Sequence, residues 1–377
     1  MYFLNQELCS GCTSCAAACR KKAITMTPNN EGFLYPVLDE TLCVHCGLCE
    51  KACPVLNKTV QTKHTAVAAI SEKTDRLDSS SGGVFSLLAS YIFQQSGAVF
   101  GPAFDENFQL RHIAVTDPAE LPRLRGSKYL QSDVGDSYLQ VKSALATGVP
   151  VLFTGTPCQI NGLRSYLGKD YENLYCQDII CHGAPSPAVW KAYLAYRQQV
   201  AGSKVKSVNF RSKVKGWKAF SMVLEFENGT VYSNTLSDDP YMQAFLKDLS
   251  LRPSCYNCSA KGDRHLADIT LGDYWGVDQL QPDMFDNKGT SLVVIHTEKG
   301  QRLLGQIKEN LRISTEVPDE AFTRFNPAMN HSVQPPKNRK CFLSTVNKDN
   351  FPKAVQKNLP KQPMKKLKKI VKAILKR

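Results

Sequence analysis

Cys9, Cys12, Cys15 and Cys19 are separated by two, two and three residues. Cys43, Cys46, Cys49 and Cys53 repeat that spacing, with Pro54 directly after them. Thiolates are soft, strongly donating ligands. Three from one tight loop and a fourth one helical turn on suit a cube of four irons and four sulfides. In the doubled arrangement the fourth cysteine of each run ligates the other cluster. This predicts one 4Fe-4S site from Cys9, Cys12, Cys15 and Cys53, and a second from Cys43, Cys46, Cys49 and Cys19. Zinc, which favours two Cys-x2-Cys pairs, and disulfides are the competing readings. Two copies of one four-cysteine spacing weigh against both. Arg20 stands where the first run would carry its proline, a departure that leaves the ligands intact.

Six cysteines remain: Cys158, Cys176, Cys181, Cys255, Cys258 and Cys341. The pair at 255 and 258 is a modest metal signal that needs two further ligands. Cys158 and Cys181 each lie where a predicted strand gives way to turn residues, on the sheet edge where open α/β folds bind ligands. The spacing alone fits both a third metal site and a set of small buried apolar side chains. Asp78-Ser-Ser-Ser-Gly-Gly83 precedes an apolar run. It reads either as a phosphate seat built from free backbone N–H groups or as an ordinary serine cap with a glycine turn. His182 follows Cys181 and Asp273 lies in a Gly-Asp turn. Either is placed to act as an acid, and either also reads as a turn residue bonding its own backbone. No residue is assigned as catalytic.

The elements that must hold these residues fall into three parts. Residues 1–58 form an α+β ferredoxin-like module for two 4Fe-4S clusters, and 59–63 a polar linker. From 64 to 325 short apolar runs alternate with helical stretches, which predicts an α/β domain. Strands are expected near 65–70, 97–104, 111–116, 150–153, 174–181, 204–211, 220–226, 230–234, 267–275 and 291–296. Helices are expected over 84–95, 134–146, 187–200, 241–249 and 300–311, and from the turn at 154–159 to about 167. Beyond Pro318 periodicity is lost, so 326–377 reads as an irregular tail wrapping the surface and ending in a basic helix.

The 377 residues carry a net charge of +13, but 361–377 contain seven lysines and Arg377 with no acid, leaving +5 for the rest. That balance argues against nucleic acid as a partner. Leu367, Ile370, Val371, Ile374 and Leu375 form a helical stripe among the lysines. Such a helix suits an anionic membrane surface; docking on a protein and a solvated tail are the alternatives. No run of 18 apolar residues exists, and 1–9 lack a basic-then-apolar signal pattern. The expected location is therefore cytoplasmic, with the tail able to lie on the inner face of the membrane. Fourteen cysteines fit a reducing compartment when they bind metal or stay free.

From Cys9 to about Arg312 the chain resembles the beta subunit of coenzyme F-420 hydrogenase/dehydrogenase in its ferredoxin-fused form. The resemblance rests on Ser79-Ser-Ser-Gly-Gly-Val-Phe-Ser86, Arg125-Gly-Ser-Lys-Tyr129, Thr154-Gly-Thr-Pro-Cys-Gln159 and Cys181-His-Gly-Ala-Pro-Ser-Pro187. Asn209-Phe-Arg-Ser-Lys213 with Gly216-Trp217, the 255/258 pair, and Ala267-Asp-Ile-Thr-Leu-Gly-Asp273 complete it. It implies a flavoprotein oxidoreductase with FAD and a third 4Fe-4S cluster on Cys158, Cys181, Cys255 and Cys258. It also implies FAD contacts at Ser80, Ser81, Gly82, Gly83, Lys128, Tyr129, Thr154, Gly155 and Thr156. Electrons would pass between the ferredoxin-type clusters and FAD, and on to coenzyme F-420 or an organic substrate, small or lipid-linked and glycan-related. A ferredoxin or another redox protein would be the partner, in an anaerobic or low-oxygen setting. The alternative is a non-catalytic electron-transfer subunit of a larger complex.

Overall fold

The computed structural model describes residues 5–60, 65–317 and 324–359. The first segment folds as a pair of cysteine loops, each running into a short helix, α1 (Ser14–Ala18) and α2 (Leu48–Lys51). Between them lies an antiparallel hairpin, β1 (Ile24–Pro28) and β2 (Leu34–Leu38). The sequence reads as extended over 32–38, between the two cysteine loops, whereas its partner β1 carries no such signal.

The remainder is built on a sheet of eight strands. Its members are β3 (Thr65–Ser71), β4 (Ala98–Phe104), β5 (Leu110–Val115), β6 (Val151–Gly155), β7 (Leu174–Ile179), β11 (Ile269–Asp273), β12 (Ser291–Ile295) and β13 (Leu311–Glu316), in the spatial order β13-β3-β12-β11-β7-β6-β4-β5. The four central strands β4, β6, β7 and β11 run parallel. β4 and β6 have the near-continuous apolar sequences of strands buried on both faces, whereas β7 and β11 bury Gln177, Asp178 and Thr270 among their apolar residues. Helices α3 (Val84–Gln94) and α9 (Glu298–Ile307) cover one face, and α4 (Ser137–Ala146) and α5 (Pro157–Leu167) the other. The helix expected over 300–311 is α9 followed by a 3-10 turn, Lys308–Asn310, and β13 begins at its last residue, Leu311, where it pairs with β3.

A second, three-stranded sheet of β8 (Val205–Ser212), β9 (Ser221–Phe226) and β10 (Val231–Thr235) packs with α6 (Pro187–Ala201) and α7 (Pro240–Leu246). A single turn, α8 (Val277–Leu280), follows β11. The C-terminal stretch is not an irregular wrapping. It contains α10 (Arg339–Thr345) and α11 (Phe351–Asn358), and their Phe342, Phe351 and Val355 are wholly buried against α6 and α7. Each helix offers only two or three apolar residues, so the signal was shorter than the window periodicity needs. The basic stretch 361–377 lies outside the described residues. Among those described, no helix is long and apolar enough to cross a membrane.

The C-terminal stretch also clamps the cysteine-rich module. Arg339 makes a two-pronged ion pair with Glu31, at 3.1 and 2.6 Å, and its guanidinium also donates to the Leu251 carbonyl at 3.0 and 2.7 Å. The β1–β2 turn is thereby fixed to the large domain. Arg339→Ala leaves a half-buried carboxylate without its partner. It should cost about 2 kcal/mol, measured by denaturant unfolding, and should release the module earlier in limited proteolysis. Unchanged stability with unchanged proteolysis would show that the clamp is idle.

Candidate functional site

The two cysteine loops share one backbone plan. In the first, Gly11 and Thr13 have φ of 68° and 71°; at the equivalent places in the second, His45 and Gly47 have 51° and 72°. Left-handed residues in such loops turn successive N–H groups to one side, forming the concave anion cradle used at Fe–S sites. Thr13 and His45 adopt this conformation without glycine's freedom, so the surrounding loop imposes it.

Cys9, Cys12, Cys15 and Cys53 all line one cavity of about 330 Å³, counting space open to solvent. Burial pushes the Cys15 thiol up to about 12, and the thiols of Cys9 and Cys53 add to the effect. The fourth cysteine of the second run therefore stands with the first three of the first run, as the crossed arrangement requires. Cys43, Cys46 and Cys49 occupy the second loop, which is closer to solvent, and Cys46 is exposed. Cys19 closes α1, and its sulfur accepts a hydrogen bond from the Ala23 N–H at 3.3 Å.

A third group of cysteines meets at the carboxyl edge of the large sheet. Cys158 is in the first turn of α5, where the helix dipole favours a thiolate, and its sulfur lies 3.2 Å from the Thr156 hydroxyl. Cys181 comes two residues after β7. Cys255 lies in the 3-10 turn Pro253–Asn257 and Cys258 closes it. Cys158, Cys255 and Cys258 line a single cavity of about 450 Å³, counting space open to solvent. Cys181 is close enough that the other three raise its thiol, though burial is the larger cause. Burial pushes Cys158 up to about 11 and Cys255 up to about 12. Buried thiols so raised stay protonated until a cation displaces the protons.

Among the described residues, the one group of three metal-ligating side chains whose donor atoms lie within 4.8 Å of one another joins Cys43 to Glu40 and His45. Of the spare cysteines, Cys176 is buried in the core as expected, whereas Cys341 is exposed and fills no apolar gap.

The first and third cysteine groups adjoin. Gly162 lies one helical turn beyond Cys158 on the same face of α5. A Cβ added there would be 2.9 Å from Cys12 Cβ, 3.1 Å from Cys12 Sγ and 2.8 Å from the Tyr138 hydroxyl. Cys12 of the module thus rests directly on the helix whose first turn carries Cys158. Four residues at 1.5 Å each make that offset about 6 Å along the axis.

The loops expected to meet FAD gather on the same edge. The Ser80 hydroxyl accepts from the N–H and hydroxyl of Ser127, at 2.6 and 2.9 Å. Ser81 donates to the Thr290 carbonyl, and the Gly82 N–H is already engaged by the Ser291 hydroxyl at 3.0 Å. Gly83 caps α3 with φ of 86°. Lys128 Nζ donates to the carbonyls of Leu124, Arg125 and Gly126, and burial pushes its ammonium down to about 7. Tyr129 stacks on Phe245 at 4.8 Å. Thr154 bonds Gln177 at 2.6 Å, Gly155 ends β6, and Thr156 caps α5 in a reciprocal box with Gln159. Several of these polar groups are thus occupied in shaping the loops.

Three basic residues near this edge drew no assignment from their spacing. Lys213 Nζ donates to the carbonyls of Arg76, Ser81 and Lys288, and burial lowers its ammonium to about 8. Arg211 pairs with Asp273, which also accepts from the Trp217 indole at 2.8 Å. Both lie in the motif Asn209 to Lys213 that carried the family resemblance. Asp273 is therefore held by tertiary partners rather than by its own turn. His182 Nε2 is likewise engaged by Asp248 at 2.7 Å. Arg252, buried between the module and the sheet edge, had no sequence signal.

Residues 149–321 match the family described as the C terminus of the beta subunit of coenzyme F420 hydrogenase/dehydrogenase, and residues 8–57 match a 4Fe-4S dicluster domain. The F subunit of the F(420)H(2) dehydrogenase of Methanosarcina mazei is 21% identical over 329 residues, 82% of this chain and 85% of that protein. The coenzyme F420-dependent sulfite reductase of Methanocaldococcus jannaschii is 21% identical over 321 residues. These make up 82% of this chain but only 48% of that protein, so the chain spans about half of it. A chain from a xenon-derivatised structure of the F420-reducing NiFe hydrogenase complex of Methanosarcina barkeri aligns with a TM-score of 0.47 at 19% identity, covering 79% of this chain and 91% of its own. The resemblance drawn from the motifs is borne out at the level of family.

The contact at Gly162 makes a direct test. Gly162→Ala forces Cys12 or the α5 backbone to move and should cost about 1–3 kcal/mol, seen as a lower midpoint in anaerobic thermal unfolding. Wild-type stability would mean that module and helix do not touch there.

Proposed function

We propose that this chain, which joins a 4Fe-4S dicluster domain to a region matching the beta subunit of F420 hydrogenase/dehydrogenase, is an iron–sulfur flavoprotein oxidoreductase. Electrons enter through the N-terminal module, pass a third 4Fe-4S cluster, and reach FAD. From there they go to coenzyme F-420 or to an organic, glycan-related substrate. The observation that carries this reading is the seating of Cys12 on α5 one turn from Cys158. A cluster bounded by Cys9, Cys12, Cys15 and Cys53 then stands next to one bounded by Cys158, Cys181, Cys255 and Cys258.

Each part of the chain has a physical task in this scheme. The exposed Cys43–Cys49 loop presents the outer cluster to a redox protein such as a ferredoxin. The buried Cys9, Cys12, Cys15 and Cys53 hold one inner cluster away from water, the partly exposed Cys158, Cys181, Cys255 and Cys258 bound the other, and N–H groups such as that of Ala184, 3.3 Å from Cys255 Sγ, tune their potentials. FAD supplies the exchange between one-electron carriers and a two-electron substrate. Lys128 and Lys213 draw the carbonyl-rich loops together and bring positive charge to the edge where a pyrophosphate would lie. His182 and Asp273 keep their structural partners, and catalytic residues are not assigned. The module corresponds to residues 1–58 and the flavin and third-cluster domain to 64–325.

A second reading, a protein that relays electrons within a larger complex and has no substrate of its own, is favoured by the Methanosarcina mazei relative, which is named as one subunit of a dehydrogenase. Turnover of a two-electron substrate by the isolated chain with reduced ferredoxin would remove it.

The cofactor inventory checks the leading reading. Anaerobically isolated chain should contain about twelve irons, matching acid-labile sulfide, and one extractable FAD. Cys158→Ser should fall to about eight irons while keeping the dicluster signal. About eight irons in the unsubstituted chain would refute the third cluster. Lys128→Met should weaken FAD retention about tenfold without altering iron content; full retention would remove Lys128 from the flavin edge.

A further inference from the structure

Arg252 is the largest charged side chain buried in the molecule, with 1% of its surface exposed. It lies on the seam between the cysteine-rich module and the large domain. Its Nε donates to the Cys9 carbonyl at 2.6 Å, Nη1 to the side-chain oxygen of Gln131 at 3.1 Å, and Nη2 to the Leu34 carbonyl at 2.9 Å. The guanidinium also lies 4.2 Å from the Tyr35 ring centroid and 5.3 Å from that of Phe33. Gln131 completes the bracket by donating to the Ser10 carbonyl at 3.0 Å.

All of these partners are neutral. A guanidinium stays ionised at any accessible pH, and a buried charge without a counter-charge is strongly unfavourable. Arg164, Arg211 and Arg339, each largely buried, meet Asp268, Asp273 and Glu31 respectively. Arg252 has no such carboxylate among the described residues. It does meet a cysteine group on each side, through the Cys9 backbone in the module and through the shared cavity in the large domain. Toward the module it holds the Cys9 backbone, and a Cβ on Gly11 would touch its Nη1 at 2.8 Å. Toward the large domain it lines the cavity of Cys158, Cys255 and Cys258. Thiolates ligating metal on both sides would supply the missing negative charge.

We propose that Arg252 is the shared counter-charge of the two inner clusters, a positioning residue that raises both reduction potentials together while leaving the outer cluster unaffected. This deepens the proposed relay and rests on the third cluster belonging to it. Adding one electron to a thiolate-ligated cube adds one negative charge to a site that is already negative. A fixed cation next to both sites makes that addition easier in each, and its effect is large where water is excluded. One buried charge beside two sites raises both potentials and leaves the gap between them little changed. The outer loop of Cys43, Cys46 and Cys49 lies outside this bracket.

The test is an EPR-monitored redox titration of the iron-loaded chain with dithionite as the one-electron donor. Arg252→Gln should shift the reduction equilibrium of both inner clusters about tenfold toward the oxidised form, about 59 mV more negative for a one-electron couple, with the outer cluster unmoved. Arg252→Lys should restore most of the difference. Gln131→Glu sets a carboxylate against the guanidinium without removing it, and should shift the same two clusters in the same direction. Should Arg252→Gln fail to take up iron, Gln131→Glu decides. Full iron content with unshifted potentials in either loaded variant, or an equal shift of all clusters, overturns the proposal. Should the unsubstituted chain hold only about eight irons, the relay fails while Arg252 is still read on the cluster of Cys9, Cys12, Cys15 and Cys53 alone.

Discussion

The closeness of Cys12 to the backbone of α5 at Gly162 is the contact on which the rest depends. Side chains between two metal sites add distance, and a glycine there is the smallest spacer the chain offers. The approach sets the angle at which the module meets the sheet edge. The surrounding contacts then hold that angle: Arg252 on Cys9 and Leu34, Gln131 on Ser10, and Arg339 on Glu31. None of these contacts is local in sequence. Together they make the module a fixed entrance to the domain rather than a tethered carrier.

Electrostatics follow from that geometry. Bringing two cysteine groups into one seam leaves thiols that resist ionisation, as the raised Cys15, Cys158 and Cys255 show. In the proposed relay, metal would supply the positive charge that ionises them, and one buried arginine would balance what the metal leaves over. The carboxyl edge of the parallel strands contributes the remaining features: the first turn of α5 under Cys158, and basic residues in loops whose carbonyls point inward. An edge of this kind, at the strands' carboxyl ends, is where open α/β sheets place their ligands.

The cysteine spacing made legible the place of Cys53 beside Cys9, Cys12 and Cys15, because a doubled C-x2-C-x2-C-x3-C admits few other geometries. The parallel strands were legible as short apolar runs, and α3, α4 and α6 as helical ones. What escaped depended on distant partners. Asp273 looked like a turn residue because its partners, Arg211 and Trp217, are some sixty residues away. Gly82 looked like a donor of free N–H, yet the Ser291 hydroxyl occupies it. The helices at 339–345 and 351–358 are too short to show a period, and α7 supplies much of the surface they need. Arg252 stands in a stretch with no motif at all.

The account's central claim is spatial: three separate iron sites, with the third next to α5. Anomalous scattering at the iron edge from crystals of the anaerobically isolated chain reads it directly. The account predicts three compact peaks, bracketed by Cys9, Cys12, Cys15 and Cys53, by Cys43, Cys46, Cys49 and Cys19, and by Cys158, Cys181, Cys255 and Cys258. Two peaks confined to the N-terminal module, or a single zinc ion among the last four cysteines, would contradict it.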